Sequence, residues 1–178
     1  MQIQGSEVAL VEPSEALREP YLAFYEEWKA SGESFVPWVV EIDPADFAGM
    51  LQSLREHAGG ENIKDGWVSS STFWLVTTDQ RVVGAVNIRH WLTEALLRTG
   101  GHIGYGVVLS ERRQGYASEL LKQALLKAAE LGIEKALVVC DAVNTASERT
   151  IRKNGGVEDS EYIEEDGNVI RRFWIETK

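Results

Sequence analysis

Apolar positions first fall at helical spacing, then in short alternating or continuous runs, and finally at helical spacing again. Val8 to Val11 reads as a short strand that Pro13 and Ser14 end. Leu17, Tyr21, Phe24 and Trp28 recur as on one helix face, with Pro20 inside the pattern marking a kink or a fresh start. A second helix is expected from Asp43 as cap and Pro44 as first residue. Its stripe is Phe47, Met50, Leu51 and Leu54, and Gly59-Gly60 ends it. Thr72 to Thr77 and Arg81 to Arg89 are rich in β-branched and aromatic residues about a polar turn, which predicts two strands. A loop bearing Trp91 and Leu92 passes through Gly100-Gly101 to a third strand, His102 to Leu109.

The clearest helix follows, with Ala117, Leu120, Leu121, Ala124, Leu125 and Ala128 in an i, i+3, i+4 rhythm that Gly132 stops. Ala136 to Cys140 is wholly apolar, as expected of a buried central strand. A short helix from Ala146 to Lys153 stops at Asn154-Gly155-Gly156, and Tyr162 to Ile175 forms a hairpin about Asp166-Gly167. This order predicts one α/β domain of the α+β kind over residues 1–178, a mixed, mostly antiparallel sheet with helices on both faces.

Composition narrows the class. With 44% hydrophobic residues and no apolar run of ~18 residues, nothing spans a bilayer. The stretch from Met1 to Val11 lacks the features of a signal peptide. Cys140 is the one cysteine, so no internal disulfide forms, and a cytoplasmic location is expected. A buried small hydrophobe is the ordinary reading of Cys140. No Cys/His cluster has metal-ligand spacing, so no metal is expected. The net charge of -10 disfavours nucleic acid as a partner. It also requires a local exception wherever an anionic ligand binds.

That exception falls between the third strand and the long helix. Arg112, Arg113, Gln114, Gly115, Tyr116, Ala117 and Ser118 combine a basic pair with a glycine that opens a helix. Helix N-termini offer unpaired N–H groups to phosphate, and glycine permits close approach. A Walker loop is absent, and Gly104 and Gly106 lie within a strand where a Rossmann turn does not occur.

Arg112-x-x-Gly115-x-Ala117 resembles the R/Q-x-x-G-x-G/A signature of the Gcn5-related (GNAT) acetyltransferases. Asn144-Thr145-Ala146-Ser147 followed by Asn154-Gly155-Gly156 resembles the second conserved block of that superfamily. Gly101 to Tyr105 resembles a branch of its predicted acetyltransferases. The resemblance implies a single GNAT domain with a V-shaped splay between its two middle strands. It implies acetyl-CoA as acyl donor, its pantetheine arm pairing with Val107, Val108 and Leu109 and with Asn144. The pyrophosphate would lie on the N–H groups from Arg113 to Ser118, and the Val107 N–H would face the oxyanion. Transfer to a primary amine, on a small molecule or a peptide N-terminus, is the implied reaction. The alternative is a non-catalytic acyl-CoA sensor, since the tyrosine expected seven residues after Asn144 is Ile151.

Ser147 is then the first candidate to protonate the departing thiolate and Tyr105 the second. His102 leads the candidates for the base, ahead of His90, Glu94, Glu148 and a water chain. His57 reads as helix C-terminal decoration. Trp38, Trp67, Trp74 and Trp91 are core or acceptor-pocket aromatics. The expected partners are acetyl-CoA and an amine, with neither nucleic acid nor membrane, and a homodimer is allowed.

Overall fold

Hydrophobic burial on both faces of a four-stranded sheet organises the chain. The computed structural model describes residues 7–178, so the expectation for Met1 to Val11 lies partly outside the described residues. Strands β1 (Val8–Val11), β2 (Ser70–Thr77), β3 (Val82–Arg89) and β4 (Ile103–Val107) form an antiparallel sheet in that spatial order. Strands β5 (Lys135–Asp141), β6 (Val157–Ile163) and β7 (Val169–Glu176) form a second, ordered β5-β7-β6 and also antiparallel. Helices α1 (Arg18–Ser31) and α2 (Phe47–Gly59) cover one face of the first sheet. Helix α3 (Tyr116–Glu130) covers the other, and the short α4 (Thr145–Lys153) packs beside it. Among the described residues, no helix is long and apolar enough to cross a membrane.

Strand β2 shows why its sequence does not alternate. Trp74 and Val76 enter the core under α1 and α2, while Leu75 enters the core under α3. Both faces are dry, so both parities are apolar. Tyr21 of α1 stacks on Trp74 with ring centroids 4.0 Å apart. On α3, Leu120, Leu121 and Leu125 are buried as their spacing predicts, each contributing about 2 kcal/mol by leaving water.

Several boundaries differ from expectation for local reasons. Pro20 lies in the first turn of α1, where its missing N–H costs no helix bond. The cap of α2 is Asp46, whose carboxylate accepts the Gly49 N–H at 3.1 Å; Asp43 accepts the Ala45 N–H in the preceding turn. Strand β4 stops at Val107, because Leu109–Glu111 coil into a single helical turn tied to α1 through Ser110 and Glu27. Strand β6 begins at Val157, ahead of the expected Tyr162.

The sheet is divided where the splay is expected. No ladder joins β4 to β5; they meet at one end only. There the His102 N–H donates to the Leu137 carbonyl at 2.7 Å, and the Leu137 N–H donates to His102 Nδ1 at 2.9 Å. Gly101, at φ 65°, permits this approach, since a Cβ there would stand 2.6 Å from the Leu137 carbonyl oxygen.

Candidate active site

Beyond that junction a cleft of about 890 Å³ opens between β4, the start of α3 and the outer face of α4. The register of β4 fixes what it shows the cleft. Val108 N–H bonds the Val83 carbonyl and Arg89 N–H bonds the His102 carbonyl, so even-numbered residues exchange bonds with β3. Tyr105 and Val107 therefore turn their backbone groups away from β3, toward the gap. Of the three residues expected to pair with pantetheine, only Val107 is so placed. The Val108 N–H is spent on β3 and its side chain is buried against α1, while Leu109 has turned outward. Gly106 makes room for the segment that crosses β4: a Cβ would collide with the Val36 carbonyl and come within 2.7 Å of Trp28.

The basic turn is a backbone cradle more than a pair of arginine arms. Arg113 and Gly115 both have positive φ, 63° and 85°, which turns successive amides inward. Among the described residues, no N–H from Arg113 to Ser118 donates to a protein acceptor. Tyr116 contributes only its amide, its ring being buried in the core. Gln114 lies within the turn without lining the cleft. The Arg112 side chain is not free for phosphate. Its Nη groups donate to both Glu33 oxygens at 3.1 and 2.7 Å, its Nε donates to the Val107 carbonyl at 2.9 Å, and it lies over Trp28. This contact with Arg112 holds the Glu33 carboxyl below the usual carboxylate range.

On the opposite bank, Asn144 caps α4, its Oδ1 accepting the Ser147 N–H at 3.1 Å. Thr145 and Glu148 stand at the spacing of a reciprocal capping box, but Glu148 turns instead to Arg152 and Arg171. Asn144 still lines the cleft. Ser147 Oγ and Tyr105 Oη, the two candidate acids, lie 3.3 Å apart there. Burial pushes the Tyr105 hydroxyl up to about 12, so it stays protonated at neutral pH. Cys140 is buried nearby with its thiol pushed up by burial, which keeps it the unreactive SH form.

The other candidates stand elsewhere. His102 is buried at the strand junction, outside the cleft, with Nδ1 engaged by Leu137 and its pKa lowered to about 4 by burial and the Arg89 charge. His90 shares a 2.8 Å hydrogen bond with Ser71, and Glu94 is paired with Arg98. His57 Nδ1 meets the Ser53 carbonyl of its own helix. Trp74 is core, Trp38 packs edge-on to Trp67, and Trp91 is exposed; the tryptophan in the cleft wall is Trp28. Sequence reasoning missed Trp28, Glu33, Arg149 and Lys153 as lining residues. The i, i+4 spacing of Arg149 and Lys153 was a usable signal, whereas the approach of Glu33 to Arg112 across 79 positions was not. Among the described residues, no group of three or more His, Cys, Asp or Glu is placed to hold a metal ion.

The model of the acetyltransferase (GNAT) domain matches residues 7–157. The fold is thus that of an acetyl-group transferase. The chain belongs to the GNAT acetyltransferase family. Its activity class is N-acetyl transfer. No curated protein shows significant sequence similarity to it. Among solved structures it is similar to a spermidine N-acetyltransferase chimera from Vibrio cholerae and hSSAT, with TM-score 0.63, 14% identity, and 97% of this chain and 96% of that one covered. It is also similar to the ribosomal alpha-N-protein acetyltransferase RimL in complex with coenzyme A, with TM-score 0.68, 15% identity and coverage of 99% and 98%. A third is the microcin self-immunity acetyltransferase MccE in complex with acetyl-CoA and AMP, with TM-score 0.68, 13% identity and coverage of 97% and 93%.

Proposed function

We propose that this protein transfers an acetyl group from acetyl-CoA to a primary amine, of a small molecule or a peptide N-terminus, by direct attack. The observation that carries this reading is the presence of two features in the lining of one cleft. They are a run of unpaired amides at the start of α3 and the Ser147–Tyr105 hydroxyl pair between α4 and β4. The amides from Arg113 to Ser118 suit the donor pyrophosphate, with the α3 dipole adding attraction. Asn144 suits the pantetheine amides. The Val107 N–H, turned into the gap, suits the oxygen that becomes negative when the amine adds to the thioester carbonyl.

As the tetrahedral adduct collapses, the C–S bond breaks and the sulfur leaves with the electron pair. Ser147 Oγ–H then gives its proton to that sulfur, Tyr105 Oη–H gives its own to Ser147 in turn, and Tyr105 regains a proton from solvent. A hydroxyl held near pKa 12 serves as a donor without being ionised beforehand. The proton of the attacking amine passes to solvent. Glu33, tied to Arg112 and held below the usual carboxylate range, is a poor base, and His102 is committed to the strand junction.

The sensor alternative drew on Ile151. That side chain is fully buried in the core beneath α4, so its identity bears on packing and not on proton transfer. Amine-dependent release of CoA over a panel of primary amines tests the reading. Ser147→Ala should lower kcat by about 100-fold with little change in CoA affinity. Donor binding without release by any amine would favour the sensor instead.

A further inference from the structure

A protein of net charge -10 has surrounded this cleft with cations. Arg112, Arg113, Arg149 and Lys153 all line it, against one carboxylate, Glu33. Arg112 is neutralised by Glu33, but among the described residues no carboxylate lies within ion-pairing distance of Arg113, Arg149 or Lys153.

Helix α4 sorts its charges by face. Ile151 points into the core. Glu148 and Arg152 point to the β6–β7 hairpin, where Arg152 is paired with both Glu148 and Glu158. Ala146, Arg149, Thr150 and Lys153, at i, i+3, i+4 and i+7, make up the cleft face. Basic residues in a last helical turn often do no more than complement the macrodipole. That reading covers Lys153 but not Arg149, which stands a turn earlier.

These two cations line the same cleft as the amide cradle. Asn154, which ends α4, donates through Nδ2 to both the carbonyl and the hydroxyl of Ser118, at 3.3 Å each, and so holds α4 beside the first turn of α3. The amides from Arg113 to Ser118 already supply donors for a pyrophosphate. Coenzyme A carries one further phosphate, the 3′-phosphomonoester on its ribose, next to the pyrophosphate and close to a dianion at neutral pH, its second pKa being about 6.

We infer that Arg149 and Lys153 form a phosphomonoester subsite that holds the 3′-phosphate of the donor and makes the protein discriminate coenzyme A from dephospho-CoA. This rests on the acyl-CoA reading above. The subsite reads a group remote from the thioester, so it sets donor selection and leaves the acyl-transfer step to Ser147 and Tyr105.

Calorimetric titration of the full chain with CoA and with dephospho-CoA, in ~150 mM salt where exposed charges are screened beyond about 8 Å, tests it. The wild type should bind CoA about ten-fold more tightly than dephospho-CoA, the loss of one charge-assisted contact set. In Arg149→Gln/Lys153→Gln the gap should close to about two-fold, with dephospho-CoA affinity unchanged. Lys122→Gln/Lys135→Gln, an equal charge change on exposed residues outside the cleft, should leave the gap intact. Equal weakening of both ligands in the double variant would overturn the subsite, as would a wild type that does not discriminate. Either result leaves the donor reading standing, whereas a wild type that binds neither ligand would remove both.

Discussion

His102 was the first candidate for the base because of its ordinary pKa and its place at the head of a strand. Its surroundings make it a neutral clasp. Nδ1 accepts the Leu137 N–H and must be unprotonated to do so, while Arg89, donating to the Gly100 and Gly101 carbonyls at 3.0 and 3.2 Å, places a cation nearby. The folded pKa, about 4, lies below the 6.5 of the free side chain. The unfolded chain therefore takes up a proton first, and the stability contributed above pH 6.5 is lost as pH falls toward 4. At pH 5 this loss is about 2 kcal/mol. Urea unfolding of the wild type and His102→Asn at pH 7 and pH 5 should show a shallower pH dependence in the variant. Parallel losses would assign the acid sensitivity to other groups. Gly115 gives a second residue-scale prediction: Gly115→Glu puts a carboxylate beside the amide cradle and a side chain at φ 85°, and should remove detectable CoA binding while the chain still folds. CoA affinity near that of the wild type would displace the phosphate site from this turn.

At the scale of elements, α3 and α2 were legible because a single stripe of apolar residues decides their faces, and tertiary packing only confirms them. Ends were less legible. Both Asn144 and Thr145 are good cap residues, and the sequence offers Thr145 with Glu148 as a reciprocal box. The structure selects Asn144 because the chain turns tightly there, with the Asn144 N–H bonding the Asp141 carbonyl at 2.9 Å. Glu148 is drawn into a ring of ion pairs with Arg152, Glu158 and Arg171, contacts with β6 and β7 that local pattern cannot foresee. The Arg112–Glu33 pair escaped notice for the same reason. A tertiary partner claimed a side chain that the signature alone would give to phosphate. Asn144→Ala should cost about 1 kcal/mol in a urea titration, and Asn144→Asp should recover most of it, since a carboxylate also caps. An alanine variant as stable as the wild type would mean that α4 is held by its ion-pair ring and Ile151 alone.

For the whole molecule, two antiparallel sheets are fastened by one junction at Gly101–His102 and by the α3 core, leaving backbone groups of β4 turned toward an open gap. The sequence suggested a central strand at β5 because its residues are all apolar, but burial by α3, α4 and β7 produces the same composition without a ladder to β4. The gap is the part of the fold that a ligand would complete. If the donor's pantetheine amides pair with this edge, binding converts unpaired β4 groups into hydrogen-bonded ones and stabilises the folded state by mass action. Hydrogen exchange then has a parity to read. The amides of Gly104, Gly106 and Val108, directed at β3, should be protected with or without CoA. Those of Tyr105 and Val107 should exchange readily in the free protein and slow by about ten-fold or more with saturating CoA, the protection following from a hydrogen bond that opens only when ligand leaves. Slowing of both parities alike would indicate a general tightening of the sheet. No change at Tyr105 and Val107, with binding shown by calorimetry, would place the donor arm away from β4 and would also move the oxyanion donor away from Val107.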